Sequence, residues 1–170
     1  GMTLSALEGF WSLQNTKRNN QDSQFNNADL GTIWINDARL LESLGTKISG
    51  KIYGIDSLSL DNLTISSGHV RFSEDGFKLS VAGDLVVQGE SARLEIGGAI
   101  ETNRVYDINF IGFEAPELTV GGNFSILEGA RFDVWSSVTN DGQSVGAKVT
   151  VGGTLTVGGL SSRLVASCDE

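Results

Sequence analysis

The 170-residue sequence is poor in the residues that crosslink a chain or bind metals. It contains one cysteine, Cys168, and one proline, Pro116. A single cysteine excludes an internal disulfide and a metal site built from cysteines. The one histidine, His69, follows Ser67 and Gly68 in a predicted turn, with no second metal ligand and no evident acid partner. We interpret it as a solvated turn residue and expect no metal site.

Positive charge and long apolar runs are also scarce. The chain has 12 Lys and Arg residues against 21 Asp and Glu residues, which gives a formal net charge of −9. An acidic surface repels phosphate backbones and anionic membranes, so we expect no nucleic-acid partner. No run of 18 apolar residues is present, and membrane insertion is therefore not predicted.

Glycine is abundant, and its placement reveals a repeat. The 22 glycines separate short runs in which apolar and polar residues alternate, the period of a β-strand. The repeated pattern is apolar-x-apolar, a Gly or Asn turn, apolar-x-apolar, a second turn, and then Arg-apolar. It occurs at residues 58–72, 79–94, 118–132 and 149–164, with a degenerate copy at 33–40. Repeats of about 20 to 50 residues are typical of solenoids, propellers or arrays.

Arginine marks the same slot of the repeat. Five of the seven arginines occupy it, at Arg39, Arg71, Arg93, Arg131 and Arg163. Their uneven spacing indicates a rung of about 20 residues that carries insertions of variable length. One insertion spans 97–117 and contains a predicted strand at 104–111. The other spans 136–148 and contains the turn signal Asn140-Asp141-Gly142.

These patterns predict an all-β chain folded as a β-solenoid, a parallel β-helix-like stack, with irregular rungs and a terminal cap. The alternative is a β-sandwich or jelly roll, which also uses short alternating strands. We expect one domain over residues 1–170, with an N-terminal cap and polar loop at 1–32 and degenerate repeats at 33–166. The polar loop covers 15–27, and segments 4–13 and 37–44 are candidates for short helices.

Alternation within the strands predicts which side chains face the core. In two of the repeats the arginine and the acid two residues later share one face. The expected core residues are Leu94, Ile96, Phe132 and Val134. The expected solvent-facing residues are Arg93, Glu95, Arg131 and Asp133.

The unit with a Val-Gly-Gly turn between alternating apolar residues, at 118–126 and 149–157, resembles repeats of exported bacterial surface proteins. These are autotransporter passengers and filamentous-haemagglutinin-like adhesins, and the resemblance covers residues 58–166. It implies a β-helical stalk or passenger with an adhesive role, at the cell surface or outside the cell. It implies no catalytic residue.

Two patterns could carry catalysis. Residues 142–146 match the nucleophile-elbow pattern G-x-S-x-G around Ser144, but no helical run follows them. Paired carboxylates could serve a glycosidase or a calcium-assisted lyase, but none has the spacing of a ligand loop. The available acids are Glu74, Asp75, Asp84, Glu114 and Glu117. We interpret them as solvated acids and expect neither enzymatic activity nor a cofactor.

Aromatic residues offer a binding surface. Strand alternation points Trp34 and Trp135 outward, where an indole ring could stack on a sugar. The sequence therefore predicts a non-catalytic structural or adhesive segment whose partners are glycans or another surface protein. The alternatives are a carbohydrate-binding module, a degenerate polysaccharide-active β-helix enzyme, or a segment of a viral or phage fibre.

Overall fold

The computed structural model describes residues 4–5, 31–35, 37–38, 41, 48–97, 114–138 and 144–167. Within these residues the chain forms seventeen strands, and helix is confined to Leu41. The prediction of an all-β protein is confirmed. In chain order the strands are β1 (Leu4–Ser5), β2 (Thr32–Trp34), β3 (Ile48–Tyr53), β4 (Ser57–Leu60), β5 (Leu63–Ile65), β6 (His69–Phe72), β7 (Lys78–Val81), β8 (Leu85–Gln88), β9 (Arg93–Ile96), β10 (Glu117–Val120), β11 (Phe124–Leu127), β12 (Arg131–Trp135), β13 (Ser137–Val138), β14 (Ser144–Val145), β15 (Lys148–Val151), β16 (Leu155–Gly158) and β17 (Arg163–Ser167).

The repeat folds into four units of three strands each. The units are β4–β6, β7–β9, β10–β12 and β15–β17, and every strand pairs in parallel with its counterpart in the next unit. Three parallel sheets result. Sheet 1 contains β4, β7, β10 and β15, and sheet 2 contains β5, β8, β11 and β16. Sheet 3 contains β6, β9, β12 and β17, and is extended at the first unit by β3, which pairs with β1 and β2.

This arrangement is consistent with a β-solenoid. Parallel pairing between units does not fit a β-sandwich or jelly roll, whose sheets are antiparallel. The described sheets form a repeated stack instead, because each short unit can bury its apolar side chains only against its neighbours.

The register between units places equivalent side chains in columns. One column of sheet 2 contains Leu85, Phe124 and Leu155, and one column of sheet 3 contains Leu94, Phe132 and Leu164. The predicted core residues of the second and third units are confirmed, because Leu94, Ile96, Phe132 and Val134 are all buried. Aromatic contacts reinforce this core, with the Phe124 and Phe132 rings meeting edge to face at 5.1 Å between centroids.

The first turn of each unit carries a ladder of side-chain hydrogen bonds. The backbone N–H of Asp84 donates to Asn62 Oδ1 at 2.8 Å, and that of Asn123 donates to Asp84 Oδ1 at 2.7 Å. The backbone N–H of Thr154 donates in turn to Asn123 Oδ1 at 3.0 Å. The stacked turns lie so close that a Cβ atom on Gly121 would collide with the carbonyl oxygen of Ala82. The Gly and Asn positions of the repeat therefore follow from the stacking of turns.

Both predicted insertions separate consecutive units. The second unit ends at Ile96 and the third begins at Glu117, while residues 98–113, with the strand predicted at 104–111, lie outside the described residues. In the other insertion β13 pairs with β14 in antiparallel fashion. Residues 139–143, which contain the predicted turn, lie outside the described residues.

The helix predicted at 4–13 is wrong at its start. Leu4 and Ser5 form β1 and pair with Ile48 and Ser49, because a free strand edge of β3 offers the backbone partners that local sequence cannot reveal. Residues 6–13, the polar loop at 15–27 and Arg39 lie outside the described residues. Of the helix candidate at 37–44, Leu41 is helical and residues 37–38 are not.

The fourth unit differs from the others in exposure. No described strand covers its outer edge, and several side chains that continue the core columns are exposed. These are Val149, Leu155, Val157 and Leu164. The same residue type therefore occupies equivalent positions that are buried in the inner units and exposed in the fourth.

Leucine at one column of sheet 2 allows a matched test of the register. Leu85 is 0% exposed and Leu155 is 45% exposed, and both pair with Phe124. We expect Leu85→Ala to lower the free energy of unfolding by about 3 kcal/mol. Leu155→Ala should lower it by less than about 1.5 kcal/mol because less apolar surface leaves water there. Denaturant titrations of both variants in dilute solution measure the difference, and equal losses would contradict the register.

Candidate functional site

The outer face of sheet 3 carries the densest group of charged side chains among the described residues. Its strands place two polar columns side by side. One column contains His69, Arg93, Arg131 and Arg163. The next contains Arg71, Glu95, Asp133 and Val165. We call the group formed by His69, Arg71, Arg93, Glu95, Arg131, Asp133 and Trp135 the charge cluster.

Glu95 is the acid on which most of the charge cluster converges. Its side chain is 2% exposed. The Glu95 Oε1 atom is bonded to His69 Nε2 and lies 2.8 Å from Arg93 Nε. The indole Nε1–H of Trp135 donates to Glu95 Oε2 at 3.0 Å, and Arg71 Nε lies 3.8 Å from the same oxygen. Donors from three strands therefore compensate the cost of removing this carboxylate from water.

Asp133 is the second buried acid, and its partners are one arginine of its own strand and one of the neighbouring strand β9. Its side chain is 0% exposed, whereas those of Arg93 and Arg131 are each 30% exposed. Arg93 Nε donates to Asp133 Oδ2 at 2.9 Å. Arg131 binds Asp133 Oδ1 through Nε at 2.8 Å and through Nη2 at 2.7 Å. Arg93 thus joins the two acids of neighbouring strands.

The surroundings of Glu95 lower its pKa below the ordinary value. Burial alone acts in the opposite direction, because it penalises the charged form. The hydrogen bond from His69, the positive charges of Arg93 and His69, and the hydrogen bond from Trp135 together outweigh burial. Glu95 is therefore held as a carboxylate.

The structure corrects the prediction that the acids of sheet 3 face solvent. Glu95 and Asp133 lie on the outer face, as alternation predicts, but both are buried. Neighbouring arginines and the Trp135 indole cover them, and such cross-strand contacts depend on the register. His69 is also not a solvated turn residue without an acid partner, because it begins β6 and binds Glu95. The signal that could have found this site is the Arg-x-acid pattern shared by Arg93–Glu95 and Arg131–Asp133.

The arginine slot also needs a correction. Arg93, Arg131 and Arg163 pair with one another in register, as the repeat predicts. Arg71 instead pairs with Glu95, and His69 takes the place beside Arg93. A shift of two residues leaves every side chain on its predicted face, so alternation alone could not detect it.

The two tryptophans predicted to bind glycans have different surroundings. Trp34 is 71% exposed, and its ring stacks on Tyr53 with a centroid distance of 6.2 Å and an interplanar angle of 10°. Trp135 is half-buried, donates its indole N–H to Glu95, and has the Arg71 guanidinium 5.4 Å from its ring centroid. The structure therefore places Trp34 on the surface and Trp135 within the charge cluster.

The candidate catalytic acids mostly bind backbone groups. Glu74 Oε2 accepts a hydrogen bond from the N–H of Gly54, and Asp75 Oδ1 accepts one from Glu114. Asp84 belongs to the turn ladder, and Glu117 lies 4.0 Å from the ammonium of Lys148 on the surface. Ser144 lies in β14, and no helix follows it in the part of the chain described after it.

No group of three or more His, Cys, Asp and Glu side chains in the described segments could hold a metal ion. None of the helical structure described is long and apolar enough to cross a membrane.

Comparisons of the chain with protein-family models, with curated proteins and with solved structures found no match.

The buried position of Glu95 allows a matched comparison with an exposed glutamate. Glu95→Gln removes the charge that four donors surround, and we expect it to lower the free energy of unfolding by about 2–3 kcal/mol. This is less than for a fully buried pair because His69 and Arg93 are partly exposed. Glu117→Gln affects only an exposed pair and should cost less than about 1 kcal/mol. Denaturant titration measures both, and equal effects would show that the charge cluster does not stabilise the fold.

The lowered pKa of Glu95 predicts a dependence of stability on acid. Ionised Glu95 stabilises the folded state above its ordinary pKa of 4.5 in the unfolded chain, and this contribution is lost as the pH falls through the lower folded-state pKa. The free energy of unfolding should therefore fall more steeply below about pH 4.5 in the wild type than in Glu95→Gln. Unfolding measured from pH 7 to pH 2.5 tests this, and parallel curves for the two proteins would refute it.

Proposed function

We propose that the repeated part of the chain is a β-solenoid. The support is the unit-to-unit pairing, in which three strands of each unit continue three separate parallel sheets in one register. The Asn and Asp turn ladder supports it further, because it joins the corners of successive units. Such a stack presents long, regular outer faces, a geometry suited to a stalk or to a contact surface.

We infer a non-catalytic structural or adhesive role, as a segment of an exported bacterial surface protein. The Val-Gly-Gly repeat supports the family, since it resembles the repeats of such proteins. The chemistry of the described polar side chains supports the non-catalytic role. The imidazole of His69 binds the buried Glu95, and the carboxylates of Glu74, Asp75 and Asp84 accept backbone N–H groups.

A second candidate function is carbohydrate binding, and one observation favours it. Trp34 and Tyr53 form a nearly parallel aromatic pair on the outer face of sheet 3, with Trp34 largely exposed. A flat, rigid aromatic surface of this kind suits stacking against the apolar face of a sugar ring. Trp34 is the stronger of the two predicted contacts, because the Trp135 indole is held by Glu95 and Arg71.

Binding and turnover of glycans test these roles together. We expect the chain to bind glycans on an array and to release no shorter product from any of them. Trp34→Ala should abolish binding to neutral sugars and leave the thermal midpoint nearly unchanged, because the side chain is mostly in water. Trp135→Phe is the contrasting variant: it should lower the midpoint, because it removes a hydrogen bond to a buried carboxylate.

The outcomes separate the candidate functions. Product release that is lost in Ser144→Ala or in a substitution of Glu74 or Asp75 would overturn the non-catalytic role. Unchanged affinity for neutral sugars in Trp34→Ala would remove the aromatic pair from the binding surface. Failure to bind any glycan, without turnover, would leave only the structural role.

A further inference from the structure

We propose that the column of Arg93, Arg131 and Arg163 on the outer face of sheet 3 binds a polysaccharide that carries carboxylate or sulfate groups. The inference rests on the adhesive role proposed above and names the chemical class of its partner. The arginine column lies on β9, β12 and β17, whereas the Trp34–Tyr53 pair lies on β2 and β3, at the opposite end of the same face.

The three arginines form a regular row. Arg131 pairs in register with Arg93 on one side and with Arg163 on the other. Neighbouring strands are about 4.8 Å apart, so the row spans about 10 Å along the stack. A polymer with an anionic group on successive sugar units could contact all three guanidinium groups, whereas a single small anion would contact one or two.

The buried acids orient two of the guanidinium groups from beneath. Arg93 uses Nε to bind both Glu95 and Asp133, and no described residue accepts a hydrogen bond from its terminal amino groups. Arg131 uses Nε and Nη2 to bind Asp133, and its Nη1 has no acceptor among the described residues. Both side chains are 30% exposed. Terminal amino groups held in this way are pre-organised to donate to the oxygens of a carboxylate or sulfate group.

Arg163 supplies a charge that no acid of its own strand offsets. Val165 occupies the position at which the two preceding units have Glu95 and Asp133. None of the ion pairs between described residues includes Arg163, and its side chain is exposed. The row therefore carries three positive charges against two buried carboxylates.

The net charge of −9 does not prevent such binding. Interactions between exposed charges are largely screened beyond about 8 Å at physiological salt. An anionic group in contact with the row therefore responds mainly to the nearby arginines, to which Arg71 and His69 are adjacent. The same reasoning predicts that added salt weakens the complex.

The probes are alginate, which carries carboxylates, and dextran sulfate, with unsulfated dextran as the neutral polymer. We expect the full chain to bind at least one of the two anionic polymers and not dextran, with affinity that falls as salt is added. Arg163→Gln should weaken binding about tenfold, since it removes one charge-assisted contact. Lys148→Gln removes another exposed positive charge from the same unit but from sheet 1, and should leave the affinity unchanged.

Arg163→Gln is also the variant with least effect on folding, because Arg163 takes part in none of the described ion pairs. Arg131→Lys keeps the charge but loses the planar group, and should also weaken binding. No binding to either anionic polymer, equal affinity in Arg163→Gln, or equally tight binding of duplex DNA would overturn the proposal. Neutral-glycan binding that depends on Trp34 would survive any of these results, so the adhesive role and the arginine row fail separately.

Discussion

Parallel hydrogen bonding between successive units is the constraint on which the rest of this structure depends. It holds each strand about 4.8 Å from its counterpart, in a register that aligns equivalent residues. For apolar side chains this alignment is favourable, since leucine, valine, isoleucine and phenylalanine of successive units pack against one another. For turns it requires glycine where backbones approach, as at Gly121, and an Asn or Asp whose side chain can bind the N–H of the next turn.

Alignment is unfavourable for charges, because arginines in one column repel each other. The chain places acids in the adjacent column, and Arg71 and Arg93 reach acids of neighbouring strands, whereas Arg131 pairs within its own strand. Arg93 contacts the acid of its own strand and that of the next, so neighbouring units are joined by side chains as well as by backbone. Burial of Glu95 and Asp133 is tolerated because each accepts several donors, and the same contacts leave the outer edges of the guanidinium groups toward solvent.

A stack of this kind also makes burial depend on position along it. Strands of the second and third units have a described neighbour on both sides, whereas strands of the last described unit have one. There Leu155 and Leu164 continue buried columns yet remain exposed. The stability of each unit therefore comes largely from its interface with the adjoining units. At the opposite end of the stack, sheet 3 continues beyond the first unit, because β3 and its partners β1 and β2 add further strands.

Much of the architecture was determined by the sequence itself. Alternation with period two assigned Phe132, Val134, Leu94 and Ile96 to the core, and the glycine-punctuated repeat predicted the four units, because both signals are local. Tertiary structure alone decided the charge cluster, because alternation specifies a face and not a register. Only pairing across units brought His69 to Glu95, shifted Arg71 by two residues from the arginine column, and covered acids that each strand by itself would leave in water.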